Sequence, residues 1–257
     1  MRIAIAGKGG AGKTTICASL ARLYAARGLD VYAIDADSNP NLASALGIDP
    51  DRAAGVQSLP VSAVSRRLDG PALTLGLDEL LEGYAIGGAD GIRLMLMGMP
   101  QHAEEGCMCS AHATVGAVLA DLQHRPQAIT LIDMEASPEH FSRGTVRHAD
   151  TVLLITEPYW RSLETTRRMA ELAAELPIDQ VAVVANKVRN PDDLAAITEF
   201  CGSHGLTLLG AVPRSDVVLD ADMAARSLMD TAAEGAPVVS ALRDLGHRLY
   251  PTVMQPI

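Results

Sequence analysis

Aromatic residues are scarce in this 257-residue chain: one tryptophan, two phenylalanines and five tyrosines make up only 3% of it. Its core must therefore be built from aliphatic side chains. Cysteine is also sparse, and four are too few for a disulfide scaffold at this length. No apolar run is long enough to span a bilayer, and the chain enters its first apolar run at Arg2 without the segments of a secretory leader. A cytoplasmic protein with no membrane partner is expected. Excess positive charge is missing too. Twenty-one Lys and Arg face 31 Asp and Glu, a formal charge of −10 with no basic tail, so no nucleic-acid partner is expected. No long Pro/Gly/Ser linker or charge block interrupts the chain, and one domain over residues 1–257 is expected.

What is present starts at once. The apolar run Arg2 to Ala6 leads into Gly7-Lys8-Gly9-Gly10-Ala11-Gly12-Lys13-Thr14-Thr15, and Ile16 to Ala26 then carries apolar residues at helical spacing. This strand, glycine loop and helix is the context in which a phosphate-binding loop works. The glycines let backbone N–H groups of Gly9, Gly10, Ala11 and Gly12 turn toward phosphate oxygens, assisted by the start of the following helix. Lys13 is placed against the β- and γ-phosphates, the Thr14 hydroxyl on Mg²⁺ and Thr15 by the α-phosphate. A nucleotide of the ATP/ADP type with Mg²⁺ is the expected ligand.

Further short apolar runs recur at Val31 to Ile34, Ile92 to Met97, Ile129 to Ile132, Val152 to Ile155, Val181 to Ala185 and Leu206 to Ala211. Helix-patterned stretches such as Arg161 to Leu176 and Asp193 to Gly205 lie between most of them. The alternation predicts an α/β fold, a doubly wound and mostly parallel sheet flanked by helices. Ligands of such sheets bind at the carboxyl ends of the strands. The methionines of the Ile92 to Met97 run fit a buried strand better than a metal-binding surface. The segment from Asp51 to Ala89 is expected to be helix and loop.

The run Ile34-Asp35-Ala36-Asp37-Ser38-Asn39-Pro40-Asn41 crowds acids and amides beyond the second strand, and acids so close repel unless a cation or ordered water lies between them. A plainer role, as turn formers and caps before Leu42, accounts for part of it. The run Ile129 to Ile132 delivers Asp133 to the rim of the sheet, where it can hold Mg²⁺ through water. Met134-Glu135-Ala136-Ser137-Pro138-Glu139-His140 follows it.

With Lys8 in the loop, the chain resembles the deviant Walker A ATPases: the nitrogenase iron protein, MinD and ParA, and the CooC nickel-insertion ATPases. The resemblance implies ATP hydrolysis coupled to homodimerisation, with Lys8 crossing the interface to the partner's nucleotide. It places Asp37 as the group that orients the attacking water, Asp35 in the Mg²⁺ shell, and residues 134–140 as switch II. It also implies that Asn186 and Lys187, with Pro213 and Arg214, hold the base, although helix capping or turn formation explains those residues equally well. The nitrogenase iron protein has a cluster-ligating cysteine in the switch II region, and this chain has none. Asp133-Met134-Glu135-Ala136, then Glu139-His140 and Arg143-Gly144-Thr145, resemble the CooC proteins instead.

Cys17 and Cys201 fall in apolar helix patterns and read as core thiols. Cys107 and Cys109 stand apart in Gly106-Cys107-Met108-Cys109-Ser110-Ala111-His112. A Cys-x-Cys pair is too constrained for a relaxed disulfide, but two thiolates on one side of an extended segment make a bidentate ligand. Two such loops across a two-fold axis would supply four thiolates, a set suited to Zn²⁺ and tolerable to Ni²⁺. His102 and His112 could instead complete a Cys₂His₂ site within one subunit, and plain structural thiols remain an alternative. The resemblance to CooC implies metallocentre maturation with a carbon monoxide dehydrogenase client. A MinD- or ParA-like positioning or regulatory ATPase is the alternative, and it would need a basic amphipathic C-terminal helix or basic patch that the mixed-charge tail Leu242 to Pro251 does not offer. An iron–sulfur scaffold would usually carry Cys-x-x-Cys.

Overall fold

The computed structural model describes residues 1–67, 70–98 and 108–251. In chain order its elements are β1 (Arg2–Gly7), α1 (Lys13–Ala25), β2 (Val31–Ala36), α2 (Leu42–Ala45), α3 (Pro50–Ala54), β3 (Val64–Arg67) and β4 (Gly70–Leu73). Then come α4 (Leu77–Tyr84), β5 (Ile86–Gly87), β6 (Arg93–Leu96), α5 (Cys109–Leu122), β7 (Ile129–Met134), α6 (Glu139–Ser142) and β8 (Thr151–Thr156). The chain continues with α7 (Trp160–Ala174), β9 (Gln180–Val188), α8 (Pro191–Ser203), β10 (Thr207–Pro213), α9 (Asp216–Met223), α10 (Leu228–Thr231) and α11 (Pro237–Leu249).

Eight strands form one sheet in the order β10-β9-β8-β1-β7-β2-β6-β5, parallel throughout except where β5 pairs antiparallel with β6. The expected doubly wound sheet is present, and β1, which carries the glycine loop, lies inside it. Its strands are buried on both faces. Ile3 and Ile5 of β1 face the side covered by α1 and α11, while Ala4 and Ala6 face the side covered by α5, α7 and α8. This two-sided burial explains why the strands read as continuous Ile, Leu, Val and Ala. Each fully buried Leu or Ile contributes about 1.5–3 kcal/mol to that core. Met95 of β6 and Met97 just past its end are buried, as are Cys17 and Cys201 as core thiols.

The segment from Asp51 to Ala89 differs from expectation. It holds the helical turns α3 and α4, but also the antiparallel pair β3–β4, with Val64 opposite Leu73, and the two-residue edge strand β5. Four-residue strands with arginines and a proline carry no alternation that a sequence pattern can detect.

Helix α1 starts at Gly12, whose φ is +96° and which supplies no side-chain cap. Its first N–H groups are therefore left for a ligand. By contrast, α8 caps itself: Asn190 accepts from Asp193 N at 2.9 Å, with Pro191 in the first turn.

Candidate functional site

The register of the central strands builds the acidic part of the site. Asp35 of β2 and Asp133 of β7 are paired Cα to Cα. Their neighbours Ile34, Ala36, Ile132 and Met134 belong to the core on the opposite face, so alternation turns both carboxylates to the side on which α1 packs. Both are buried, at 0% and 1% exposure. Burial raises the Asp35 pKa to about 6, against hydrogen bonds from the N–H groups of Leu42 (2.8 Å) and Asp37 (3.2 Å). Burial, then the charge of Asp35, raises that of Asp133 to about 7, although a hydrogen bond with Thr14 and the charge of Lys13 favour the anion.

One oxygen of Asp133, Oδ1, is buried with no hydrogen-bond partner. A buried acceptor left unsatisfied costs about 1–3 kcal/mol, so it calls for a donor or a cation. The donor set here, two carboxylates and the Thr14 hydroxyl, is all oxygen and suits hydrated Mg²⁺. Thr14, Asp35 and Asp133 therefore fit the metal expected of them. Asp35 has a second task, because its carboxylate seats the start of α2 at Leu42. Asp37, half-buried, accepts from Asn39 N at 2.8 Å and lies in the turn held by Asp35.

Lys13 is buried at 7% exposure beneath the loop. A side chain at Gly12 is strained by its positive φ, and an added Cβ would lie 2.2 Å from Asn186 Nδ2, forcing that side chain to move. Gly9 has a different neighbour, since its Cβ position faces Ala136, just past β7, at 3.6 Å. Lys8 places its ammonium 5.8 Å from the ring centroid of Tyr159, at the exposed start of α7.

Beyond the loop, Gly10, Gly12, Thr15, Asn186, Lys187, Pro213 and Arg214 line one groove together with Glu157 and Asp216. Asn186 donates Nδ2 to the Ala11 carbonyl at 2.7 Å and lines the groove. Lys187, in a left-handed conformation with φ +56°, donates to the Gly10 carbonyl and pairs with Glu157 at 3.2 Å. Both residues thus hold the loop as well as line the groove. Glu157 was not legible as a site residue, although its position just past β8 was a signal. A second groove, lined by Gly10 to Thr15 residues with Asn41, Ser44 and Arg226, continues along α1, and Arg226 carried no sequence motif at all.

Cys109 opens α5, half-buried, and packs against the Arg143 guanidinium. It is disulfide-bonded, where the sequence pattern leads one to expect a free thiol, so metal ligation by its sulfur requires the reduced form. Cys107 and His102 lie outside the described residues. His112 is turned into the interior: Nδ1 lies 3.0 Å from Thr145 Oγ1 and its ring meets His140 edge-on. Among the described residues no cluster of three His, Cys, Asp or Glu side chains is arranged to hold a metal ion. None of the described helices is long and apolar enough to cross a membrane.

The chain is 36% identical to the carbon monoxide dehydrogenase accessory protein CooC of Rhodospirillum rubrum, over 99% of this chain and 97% of that protein. Its fold matches the MinD cell division protein of Aquifex aeolicus with a TM-score of 0.72 at 18% identity, covering 100% of this chain and 98% of that one. A similar match, with a TM-score of 0.68 at 17% identity and covering 100% and 99%, is to the septum site-determining protein MinD of Pyrococcus horikoshii, solved with Mg-ADP. Residues 3–228 match the family model of the CobQ/CobB/MinD/ParA nucleotide binding domain, and the loop, the paired aspartates and most of the groove lie within that span. The chain belongs to this family of P-loop nucleotide-binding proteins.

Proposed function

We propose that residues 1–257 form one ATPase domain that hydrolyses ATP to ADP and phosphate as a homodimer and serves metallocentre maturation, inserting nickel into a carbon monoxide dehydrogenase. The end-to-end match to a carbon monoxide dehydrogenase accessory protein carries this reading. The geometry agrees with it at the nucleotide. Loop amides and Lys13 cradle the β- and γ-phosphates, and Asn186 with the Pro213–Arg214 turn receives adenine. Thr14 and, through water, Asp35 and Asp133 would hold Mg²⁺, which would neutralise the charge of the phosphates. Asp37 orients the attacking water from the turn that Asp35 fixes. Lys8 leaves Tyr159 and reaches the partner subunit's nucleotide when the dimer closes.

A positioning ATPase would need an apolar helix face free to meet a membrane. In α11 that face is buried: Val238, Val239, Leu242, Leu245 and Leu249 are all part of the core.

Reduced Cys107 and Cys109 from each subunit ligate one Zn²⁺ or Ni²⁺ across the dimer axis. Metal titration and native mass spectrometry of reduced protein, with ADP and with a non-hydrolysable ATP analogue, test this. The expected result is one ion per dimer, lost in Cys107→Ser and Cys109→Ser. One ion per monomer that depends on His102 or His112 replaces the bridge with a local site, and no ion in any form moves the reading to a positioning or regulatory ATPase.

A further inference from the structure

The segment 139–145, which continues from switch II, touches the first turn of α5 through three side chains. The His140 ring lies edge-on to His112, with centroids 4.6 Å apart and planes at 77°. Thr145 Oγ1 stands 3.0 Å from His112 Nδ1. The Arg143 guanidinium, itself held by Glu139 at 3.0 Å, packs on Cys109 Sγ. The other end of the segment is tied to the Mg²⁺ rim, because His140 Nε2 accepts the N–H of Glu135, two residues past Asp133, at 3.4 Å.

His140 and His112 are buried, at 0% and 3% exposure. Neither ring can shift without displacing the other, because packed interiors do not yield continuously. With Nε2 accepting, the proton of neutral His140 sits on Nδ1, and the backbone of Ala36, at the end of β2, serves the ring as a hydrogen-bond acceptor. Gly9 of the phosphate loop meets Ala136 of the same segment, so the loop and switch II share a contact surface.

We infer that residues 135–145 couple the nucleotide site to the cysteine end of α5, with Arg143 as the positioning residue that covers the Cys109 sulfur in one nucleotide state and withdraws from it in the other. For metal traffic, this rests on the proposed reading that Cys109 is a ligand. The contact is seen with Cys109 disulfide-bonded; on reduction, a guanidinium and a divalent cation compete for the same thiolate, so the position of Arg143 sets when it is open to metal.

The experiment measures the coupling without metal. Full-length, reduced, metal-free protein is saturated with Mg-ADP or with a Mg-bound non-hydrolysable ATP analogue and alkylated with iodoacetamide. Mass spectrometry follows the rate at the peptide carrying Cys109. The two nucleotide states should differ by about fivefold or more in the wild type. R143A should bring that ratio to within about twofold and R143K should restore part of it, with ADP affinity unchanged in both. H140Q, checked by thermal melting for an intact fold, should also collapse the ratio. Simple burial of Cys109 in a dimer would leave the ratio unchanged in R143A, and that outcome overturns the role of Arg143. A wild-type ratio of one removes the coupling even if the protein binds metal. A ratio that depends on Arg143 in a protein that binds no metal keeps the coupling and removes the metal reading.

Discussion

Around the phosphates, each functional group is set by the backbone: Lys13 by the first turn of α1, Asp35 and Asp133 by paired strands, Asn186 by its bond to Ala11. Around Cys109, a helix start is held through side chains from another element, Arg143, Thr145 and His140. The two ends also differ in chemistry. One buries two carboxylates with an oxygen left unsatisfied, while the other carries a disulfide-bonded sulfur. A site made of strand ends and a glycine turn is organised before its ligand arrives. A site held by a few side-chain contacts can be reset by a small movement of its neighbour.

Gly12→Ala is the strongest test of the first half of this comparison. The new methyl group would displace Asn186 Nδ2 from 2.2 Å at a left-handed backbone position, so nucleotide affinity should fall by about 100-fold or more, with roughly 1–3 kcal/mol of stability lost. Calorimetric titration giving near wild-type affinity would mean that the loop is adaptable.

Lys8→Ala separates the loop from the dimer. Lys13 and the loop amides stay in place, so ATP affinity should hold within about threefold while ATP-dependent dimerisation and hydrolysis disappear. A variant that sediments as a dimer with ATP removes the cross-subunit role of Lys8.

The smallest effect concerns the two aspartates. Their raised pKa values, about 6 and about 7, mean that both are increasingly protonated below neutrality. Proton and Mg²⁺ compete for them, so Mg²⁺-dependent nucleotide affinity should strengthen from pH 6 to pH 8. In the unliganded protein the sign reverses. The native state binds the extra protons, so this contribution to stability is present at low pH and is lost as pH rises toward 7. His140, held near a pKa of about 3 chiefly by burial and the charge of His112, acts oppositely below its ordinary value. The aspartate effect is therefore cleanest above about pH 6.5, the ordinary value of His. Asp133→Asn should stabilise the unliganded protein by about 1–3 kcal/mol at pH 8 and weaken Mg²⁺-dependent binding. Melting curves showing a less stable variant at pH 8 would mean that the Asp133 carboxylate is well satisfied without a metal.

Much of this molecule was legible from local pattern. Continuous aliphatic runs mark strands buried on both faces, and Gly7 to Thr15 between a strand and a helix fixes a phosphate loop, because these signals depend only on neighbours in the chain. The β3–β4 pair was not legible, since its four-residue strands have no period of their own and pair by what packs beside them. Nor was the choice among the readings of His112. The sequence places it three residues from Cys109, a plausible ligand, but the packing of α5 against α6 turns it to Thr145 and His140. The same packing brings Arg143 onto Cys109 across 34 residues of chain. Local chemistry thus fixed the fold class and the nucleotide loop, whereas contacts between distant elements decided the surroundings of the cysteine, because no short-range signal encodes which helix faces meet.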